Sequence, residues 1–471
     1  MLENSRIGLV LLRSSWTGCG VPEELAGQIE SHGRAIVERL DQRYEIHGPY
    51  VVSTLDSVRD SIRALNDTDL DLIVLAFQTW VEDDTLQALL KMPCACPIVV
   101  WNVLPWRRMP RPVPFTGVLR STGAVSAFGA LGSLRDQDIP FLFTWGAVDD
   151  PRLLRDLDVA ARAAQLRGSL RRARFGLLPP HQPIPRPLQV EESRLLADMG
   201  PYVDHISLES YRHAVDDVPR SEIDAYLADL RAQVVIEGVA GETLEQAARQ
   251  TLAMKAIAEA RRLDLLALDY AAVELQDEYS NRPGLYPFLG APEDRPIEAP
   301  LIQPEPDLGA ATANYVLSRL TGAPAMFLEF WYWDEALNQI VGGHGGPQDL
   351  ALGAQGQVLI TRDFHACLDE NIHGAQVQMI ARSGRVTIFQ MRAAADGWQA
   401  VAASGMVLES RPVVEGYPHA LLRLDAQIDH FLNRLARVGA TQHWLMGYGS
   451  VLHELETFCQ MNHIPLEILT S

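Results

Sequence analysis

Three observations predict an α/β protein with two doubly wound, Rossmann-like parallel-sheet domains and a C-terminal antiparallel β-rich or barrel domain. Short continuous apolar runs alternate with amphipathic segments up to about residue 322, as buried parallel strands alternate with helices. After this point, short strand patterns follow one another with turn residues between them, which is typical of an antiparallel sheet. The 471 residues are also too many for one ordinary core. We therefore predict domains at residues 1–170, 171–322 and 323–471.

The first predicted domain repeats a strand followed by a helix. Apolar runs such as RIGLVLL (residues 6–12), LDLIVLAF (70–77) and PIVVWN (97–102) are separated by helical patterns, which predicts a parallel sheet. Functional loops in such sheets lie beyond the C-terminal ends of the strands. The segment GCGVPE has Glu23 where a dinucleotide fingerprint has its third glycine, so we interpret it as a turn.

The second and third predicted domains differ in texture. The strand–helix pattern restarts at RFGLLPP (residues 174–180) and ends with the strand-like segment LDLLALDYAAV (263–273). From APAMFLEFWYW (323–333) onwards, short strand patterns dominate. A helix is predicted over residues 423–439, and a last helix and strand over residues 451–469.

Charge, cysteine content and hydropathy exclude several classes of protein. Lys and Arg number 40 and Asp and Glu number 60, which gives a formal net charge of −20 and argues against a nucleic-acid partner. Five cysteines, an odd number spread along a long chain, argue against a disulfide framework. We find no signal peptide pattern and no apolar stretch of spanning length, so we expect a cytoplasmic protein without a membrane partner.

Two glutamates 24 positions apart are the first candidates for chemistry. Glu305 lies between two prolines, just before a predicted helix that Asp307 can cap. Glu329 interrupts an apolar strand, where a carboxylate is costly unless it is paired or metal-bound. The residues also allow a plainer interpretation, in which Glu305 only favours the start of the helix and Glu329 faces solvent.

Two histidines complete the candidate set. His344 lies among four glycines in VGGHGGP, and His443 lies in GATQHWLMGYGS near the C-terminus. A glycine-rich segment lets the backbone approach a ligand closely, although a flexible hairpin loop and a structural histidine remain alternatives. Two carboxylates and two imidazoles can bind one divalent metal of hard to borderline character. Two carboxylates beside a metal can also move a proton across a small substrate.

Other polar residues have weaker cases. The segment AVELQDEYS contains a carboxylate cluster that we interpret mainly as a solvated loop or helix start, and three further histidines could contact a substrate. These residues are Glu274, Asp277, Glu278, His365, His373 and His419. The chain contains neither the G-x-S-x-G motif of serine hydrolases nor the H-E-x-x-H motif of zinc proteases.

The segment PEPDLGAATANYVLSRLTGAPAMFLEF resembles the L-arabinose/L-fucose isomerase superfamily. Glu305 and Glu329 fall on the two acid positions of that family, with the same interval to the LTG motif. The C-terminal segments RVGATQHW and LETFCQMNHIPLEIL are similar to the arabinose isomerase C-terminus, and His443 takes the place of a histidine ligand there. His344 resembles the other arabinose-type histidine ligand in position. Gln442 departs from the family pattern, which often has His at this place.

The resemblance implies a metal-dependent aldose–ketose isomerase that acts on a monosaccharide through an enediol intermediate. Glu305 and Glu329 would be the acid–base pair, and both would bind the metal together with His344 and His443. Mn²⁺ is the implied cofactor, with Mg²⁺ or Co²⁺ possible. The family also implies a homotrimer or homohexamer. The alternatives are a catalytically silent sugar-binding or regulatory relative, or a metal-dependent epimerase.

Overall fold

The computed structural model describes residues 5–18, 23–91, 96–180, 184–270, 272, 281–295 and 299–469. The carboxylate cluster of Glu274, Asp277 and Glu278 lies outside the described residues. The described chain divides into two compact units. The first comprises residues 2–169 and 453–463, and the second comprises residues 170–452 and 464–471 with Met1. The three-domain division at residues 170 and 322 stays a prediction.

The strands and helices of the described residues are numbered in chain order. The strands are β1 (Arg6–Leu12), β2 (Glu45–Val52), β3 (Leu72–Phe77), β4 (Ile98–Val103), β5 (Phe141–Gly146), β6 (Arg174–Leu178), β7 (Tyr202–His205), β8 (Val235–Ile236), β9 (Leu265–Leu268), β10 (Asn281–Arg282), β11 (Leu301–Gln303), β12 (Met326–Asp334), β13 (Gln339–Gly343), β14 (Gly353–Arg362), β15 (His373–Ala381), β16 (Gly384–Ala394), β17 (Gly397–Val407), β18 (His419–Leu424), β19 (Trp444–Tyr448) and β20 (Leu466–Leu469). The helices are α1 (Glu23–Asp41), α2 (Leu55–Asn66), α3 (Asp83–Leu90), α4 (Phe115–Arg120), α5 (Gly123–Asp136), α6 (Pro151–Arg172), α7 (Glu192–Asp198), α8 (Leu208–Asp217), α9 (Arg220–Gln233), α10 (Gly241–Ala260), α11 (Leu308–Thr321), α12 (Ile428–Val438) and α13 (Leu452–Met461).

The first unit is built on a parallel sheet. Within the described residues its five strands lie in the order β2-β1-β3-β4-β5, and every neighbouring pair is parallel. The side chains of β3 and β4 are buried along their whole length, because parallel strands are covered on both faces and therefore have continuous apolar sequences. Helix α2 begins with a capping box between Thr54 and Ser57, which satisfies backbone groups left open at a helix start.

The second unit contains two sheets in the part of the chain that is described. One has four parallel strands in the order β11-β9-β6-β7. The other has eleven strands and is largely antiparallel, with order β20-β17-β16-β19-β12-β13-β18-β15-β14-β8 and β10 beside β15. A further pairing between β17 and β18 joins six strands, β17-β16-β19-β12-β13-β18, into a closed circuit. The chain is thus an α/β protein with two parallel sheets and a mixed, largely antiparallel C-terminal sheet.

The core of the large sheet surrounds the strands that carry the candidate residues. Met326 and Leu328 of β12, Trp444 and Met446 of β19, and Ile340 of β13 belong to one buried apolar cluster. Because these strands are fixed by burial, the residues at their ends are held in defined positions. Among the described helices, none combines the length and apolar character needed to cross a membrane.

Candidate metal centre

Neighbouring strand and helix ends bring the four candidate side chains together. Glu305 lies between β11 and α11, and Glu329 lies within β12. In the large sheet β12 pairs with β13 on one side and β19 on the other. His344 directly follows β13, and His443 directly precedes β19. Both histidines therefore flank the strand that carries Glu329.

The four side chains approach to within a few ångströms. His344 Nε2 lies 3.2 Å from Glu305 Oε1, and His443 Nε2 lies 3.5 Å from the other oxygen of the same carboxylate. His443 Nε2 also lies 3.7 Å from Glu329 Oε1. The ligand atoms of Glu305, His344 and His443 all lie within 4.8 Å of one another. Glu329 approaches this triad through His443.

Burial divides the four residues into two pairs. His344 and His443 are 6% and 2% exposed, whereas the Glu305 and Glu329 side chains are 31% and 32% exposed. The imidazoles are thus fixed in the protein interior, and the carboxylates remain accessible to a small molecule. This arrangement suits groups that hold an ion on one side and meet a substrate on the other.

Hydrogen bonds fix the orientation of both imidazoles. His344 Nδ1 lies 2.9 Å from the carbonyl oxygen of Gly345, and His443 Nδ1 lies 2.9 Å from Asp307 Oδ2. A carbonyl oxygen and a carboxylate only accept, so Nδ1 donates in each case. In the neutral ring the lone pair is then on Nε2, which faces Glu305 in both residues. The ring of Phe327 packs against both imidazoles, with ring centres 4.6 Å from His344 and 4.8 Å from His443.

Asp307 connects the start of a helix to the site. Its Oδ1 accepts hydrogen bonds from the backbone N–H groups of Gly309 and Ala310, so it caps α11 as the sequence predicts. The helix begins at Leu308, directly after Asp307. The second carboxylate oxygen of Asp307 accepts the hydrogen bond from His443. The carboxylate, which is 3% exposed, therefore has a separate task for each oxygen.

The charges of the site shift the pKa values of two of its members. Burial alone would raise the pKa of Glu305, but the hydrogen bond that His344 Nε2 donates when its ring is protonated, together with the charges of both protonated imidazoles, outweighs it and lowers the pKa. Burial would lower the pKa of His443, but the hydrogen bond to Asp307 and the charges of Asp307, Glu305 and Glu329 raise it. Each shift favours the charged form and reflects strong mutual attraction within the cluster.

The donor set fits a divalent metal ion. Ligand atoms at adjacent positions around an octahedral ion, with bonds of about 2.0–2.1 Å, lie roughly 3 Å apart. The separations of 3.2, 3.5 and 3.7 Å are only slightly longer. The contacts of both Nδ1 atoms also match the outer contacts that hold metal-bound histidines, which typically donate to a carboxylate or a backbone carbonyl.

Close packing explains the glycines around His344. A Cβ atom on Gly343 would lie 2.0 Å from the carbonyl oxygen of Pro418, so only glycine allows β13 to approach β18 at this point. Gly346 has φ +85°, a conformation that other residues rarely adopt. These glycines therefore serve the backbone geometry that places His344.

The structure separates the three histidines that the sequence left open. His419 is structural, because its Nδ1 faces the carbonyl oxygen of Tyr417 and its Nε2 accepts from Val413 and Val414. His373 is exposed at the start of β15. His365 pairs with the buried Asp363.

Sequence reasoning missed the second role of Asp307 and two tyrosines, the buried Tyr270 and the partly buried Tyr417. Tyr270 packs edge-on against His344, with ring centres 6.2 Å apart. Burial raises the pKa of Tyr417 to about 12, and burial also raises the pKa of Tyr270 well above its usual value. Alternation could not reveal these residues, because neither lies in a segment with a polar residue at an unusual position.

Comparison with known proteins adds no relative. No protein-family model matches the chain, and no curated protein is significantly similar to it. The function is therefore inferred from the chemistry of the candidate site.

Proposed function

We propose that the protein is a metal-dependent aldose–ketose isomerase of the arabinose/fucose isomerase type. The cluster of Glu305 with two buried, oriented imidazoles, and the approach of a second accessible carboxylate, Glu329, to His443 carry the proposal. If the cluster only stabilised the fold, its carboxylates would not need to be about one-third exposed beside imidazoles that are almost fully buried. The doubly wound Rossmann-like form of the parallel sheets, the monosaccharide substrate and the trimeric or hexameric assembly belong to the same proposal.

The metal site comprises Glu305, Glu329, His344 and His443. Mixed carboxylate and imidazole ligands favour Mn²⁺, with Mg²⁺ or Co²⁺ as alternatives. A bound ion supplies a Lewis acid that orients the two substrate oxygens and stabilises the negative charge that develops on them. Asp307 and the Gly345 carbonyl hold the two imidazoles with Nε2 towards that ion.

The two glutamates carry the proton transfers. An aldose and its ketose differ by a proton that moves between C1 and C2, with an enediol between them. One carboxylate removes the carbon-bound proton and returns it to the neighbouring carbon, and the other exchanges a proton with the adjacent oxygens. Glu305 and Glu329 take these roles because both carboxylates are accessible and both lie beside His443. The lowered pKa of Glu305 keeps it ionised and able to accept a proton.

A product assay tests the proposal. The protein is stripped with a chelator and incubated with a panel of aldopentoses and aldohexoses, with and without Mn²⁺, Mg²⁺ or Co²⁺. We expect chromatography to detect a ketose from at least one aldose only when a metal is present. An epimer in place of the ketose would replace the isomerase with an epimerase. Tight binding of a sugar without any product would favour the silent sugar-binding alternative.

A further inference from the structure

A second carboxylate–histidine pair, Asp363 and His365, follows β14 in the same unit. His365 lies in a short 3₁₀ turn, Phe364–Cys367, that Asp363 begins. His365 Nδ1 lies 2.8 Å from Asp363 Oδ1, and the same oxygen accepts the backbone N–H of His365 at 2.8 Å. The carboxylate only accepts, so Nδ1 donates and the lone pair of the neutral ring is on Nε2. The orientation resembles that of His443 on Asp307.

Asp363 is fully buried, although it only begins a short turn. The residue is 0% exposed, and within the described residues its Oδ2 has no hydrogen-bond partner. A buried carboxylate is costly unless a positive or hydrogen-bonding group compensates it. The imidazole of His365 is such a group, and its side chain is 19% exposed. Asp363 accepts the hydrogen bond from Nδ1 and so holds the partly exposed imidazole in one orientation, as the aspartate of a catalytic triad does.

One aromatic ring connects this pair to the candidate metal centre. Tyr270 packs against His365 with ring centres 5.9 Å apart and against His344 with ring centres 6.2 Å apart. Burial raises the pKa of Tyr270, and the negative charges of Asp363 and Glu305 raise it further. The two carboxylates thus both act on this phenol. His365 lies one tyrosine ring away from the metal centre but is not part of it.

The proposed reaction also needs a proton donor for the ring oxygen of the cyclic sugar. Aldoses exist mainly as cyclic hemiacetals, and isomerisation at C1 and C2 requires the open chain. On ring opening the O1 proton leaves for a carboxylate of the metal centre, and the O1–H electron pair forms the C1=O1 bond. The bond between C1 and the ring oxygen breaks, and the ring oxygen takes a proton from an acid. One proton leaves and one is gained, so the substrate undergoes no net oxidation or reduction.

We propose that His365, positioned by Asp363, is the acid that protonates the ring oxygen of the cyclic sugar. The inference rests on the proposed isomerase function and adds a third proton-transfer group to it. His365 meets the requirements because it lies one tyrosine ring from the metal centre, its side chain is partly exposed, and the described residues give its Nε2 no hydrogen-bond partner. His419 does not, since both of its ring nitrogens have backbone partners.

The test combines kinetics with an isotope effect. The Mn²⁺-loaded unsubstituted protein, His365→Asn and Asp363→Asn are compared on the aldose that the unsubstituted protein converts fastest, with hydrogen or deuterium at C2. Removal of an acid–base group lowers kcat by about 10²–10⁴-fold. Ring opening then limits turnover, so the deuterium isotope effect on kcat of His365→Asn should fall towards one. Asp363→Asn should show the same fall in isotope effect with a smaller loss in kcat.

His373→Asn is the matched control, because His373 is an exposed histidine near the same turn. It should retain unsubstituted kcat and isotope effect. A folded His365→Asn with unchanged kcat would overturn the inference. A lower kcat with an undiminished isotope effect would also overturn it, because a structural role or a sugar hydroxyl contact slows the C2 step itself.

Two further measurements keep the outcome decisive. If His365→Asn does not fold, His365→Gln and the unsubstituted protein are used. With a freshly dissolved single pyranose anomer, the rate of ketose formation by the unsubstituted protein should exceed the rate at which that sugar opens spontaneously. A rate of turnover limited by spontaneous ring opening would reject the role of His365. Absence of ketose from every aldose would reject the isomerase function itself, and with it the ring-opening step.

Discussion

Replacing Asp307 with asparagine separates its two roles. In the native site Oδ1 accepts from the N–H groups of Gly309 and Ala310 at 2.8 and 3.0 Å, and Oδ2 accepts from His443 Nδ1 at 2.9 Å. Asparagine caps helices about as well as aspartate, so its single oxygen can keep the cap. Its NH₂ group then faces His443 Nδ1, which must accept and can no longer carry the proton. The proton moves to Nε2, the atom that the metal needs.

The expected magnitudes follow from this geometry. Asp307→Asn should lower Mn²⁺ affinity by about 10–100-fold, as loss of an outer contact to a metal-bound histidine typically does. The metal-free protein should lose little unfolding free energy, since the cap remains. Asp307→Ala removes the cap, worth about 0.5–2 kcal/mol, and leaves the buried His443 N–H without a partner, worth about 1–3 kcal/mol. The alanine variant should therefore be destabilised as well as weak in metal binding.

Chelator-stripped protein is titrated with Mn²⁺, and the electron paramagnetic resonance signal gives the concentration of free Mn²⁺. A denaturant melt of each variant gives its unfolding free energy. Thr54→Ala is the control for a lost cap, because Thr54 caps α2 in the first unit. It should be less stable and bind Mn²⁺ normally. If folded Asp307→Asn binds Mn²⁺ as tightly as the unsubstituted protein, the orientation argument for His443 is wrong.

Three further predictions follow from the same site and fold. Glu329→Gln and Glu305→Gln should each lower ketose formation by about 10²–10⁴-fold with an unchanged thermal melt. His430→Asn, which changes an exposed residue of α12, should remain active. Wild-type turnover of folded Glu329→Gln would refute the two-carboxylate mechanism. Gly343→Ala places Cβ 2.0 Å from the Pro418 carbonyl oxygen. The variant should lose about 1–3 kcal/mol of unfolding free energy and bind Mn²⁺ more weakly. A melt that matches that of the unsubstituted protein would contradict this packing. Light scattering should give the mass of a trimer or hexamer at micromolar concentration, and a monomer would count against the resemblance to the isomerase family.

Elements with a strong local pattern could be predicted from sequence. The buried strands β1, β3 and β4 have continuous apolar runs, and α11 has an Asp cap and ends at Gly322 with φ +72°, both of which are local signals. Glu329 was recognisable because it breaks an apolar run. These features depend on neighbours within a few residues, which a single sequence contains in full.

Elements that depend on distant partners could not be predicted in this way. The helix predicted over residues 423–439 begins only at Ile428, and its first residues belong to β18. β18 and β19 are stabilised by pairing with β13 and β12 rather than by a strong pattern of their own. Likewise, the bond between Asp307 and His443 joins residues 136 positions apart. The cap was visible in the sequence, but its second partner was not.

The most direct test of the isomerase proposal follows the carbon-bound proton itself. The Mn²⁺-loaded protein and folded Glu329→Gln are incubated with the aldose panel in D₂O, and proton NMR monitors the C2–H signal of the aldose and C1 of the ketose. We predict that for at least one aldose the unsubstituted protein forms a ketose and exchanges these protons with solvent, and that Glu329→Gln does neither at a comparable rate. Mn²⁺ bound at the site, with neither ketose nor exchange from any aldose, would contradict the proposal that Glu305 and Glu329 move a proton between C1 and C2.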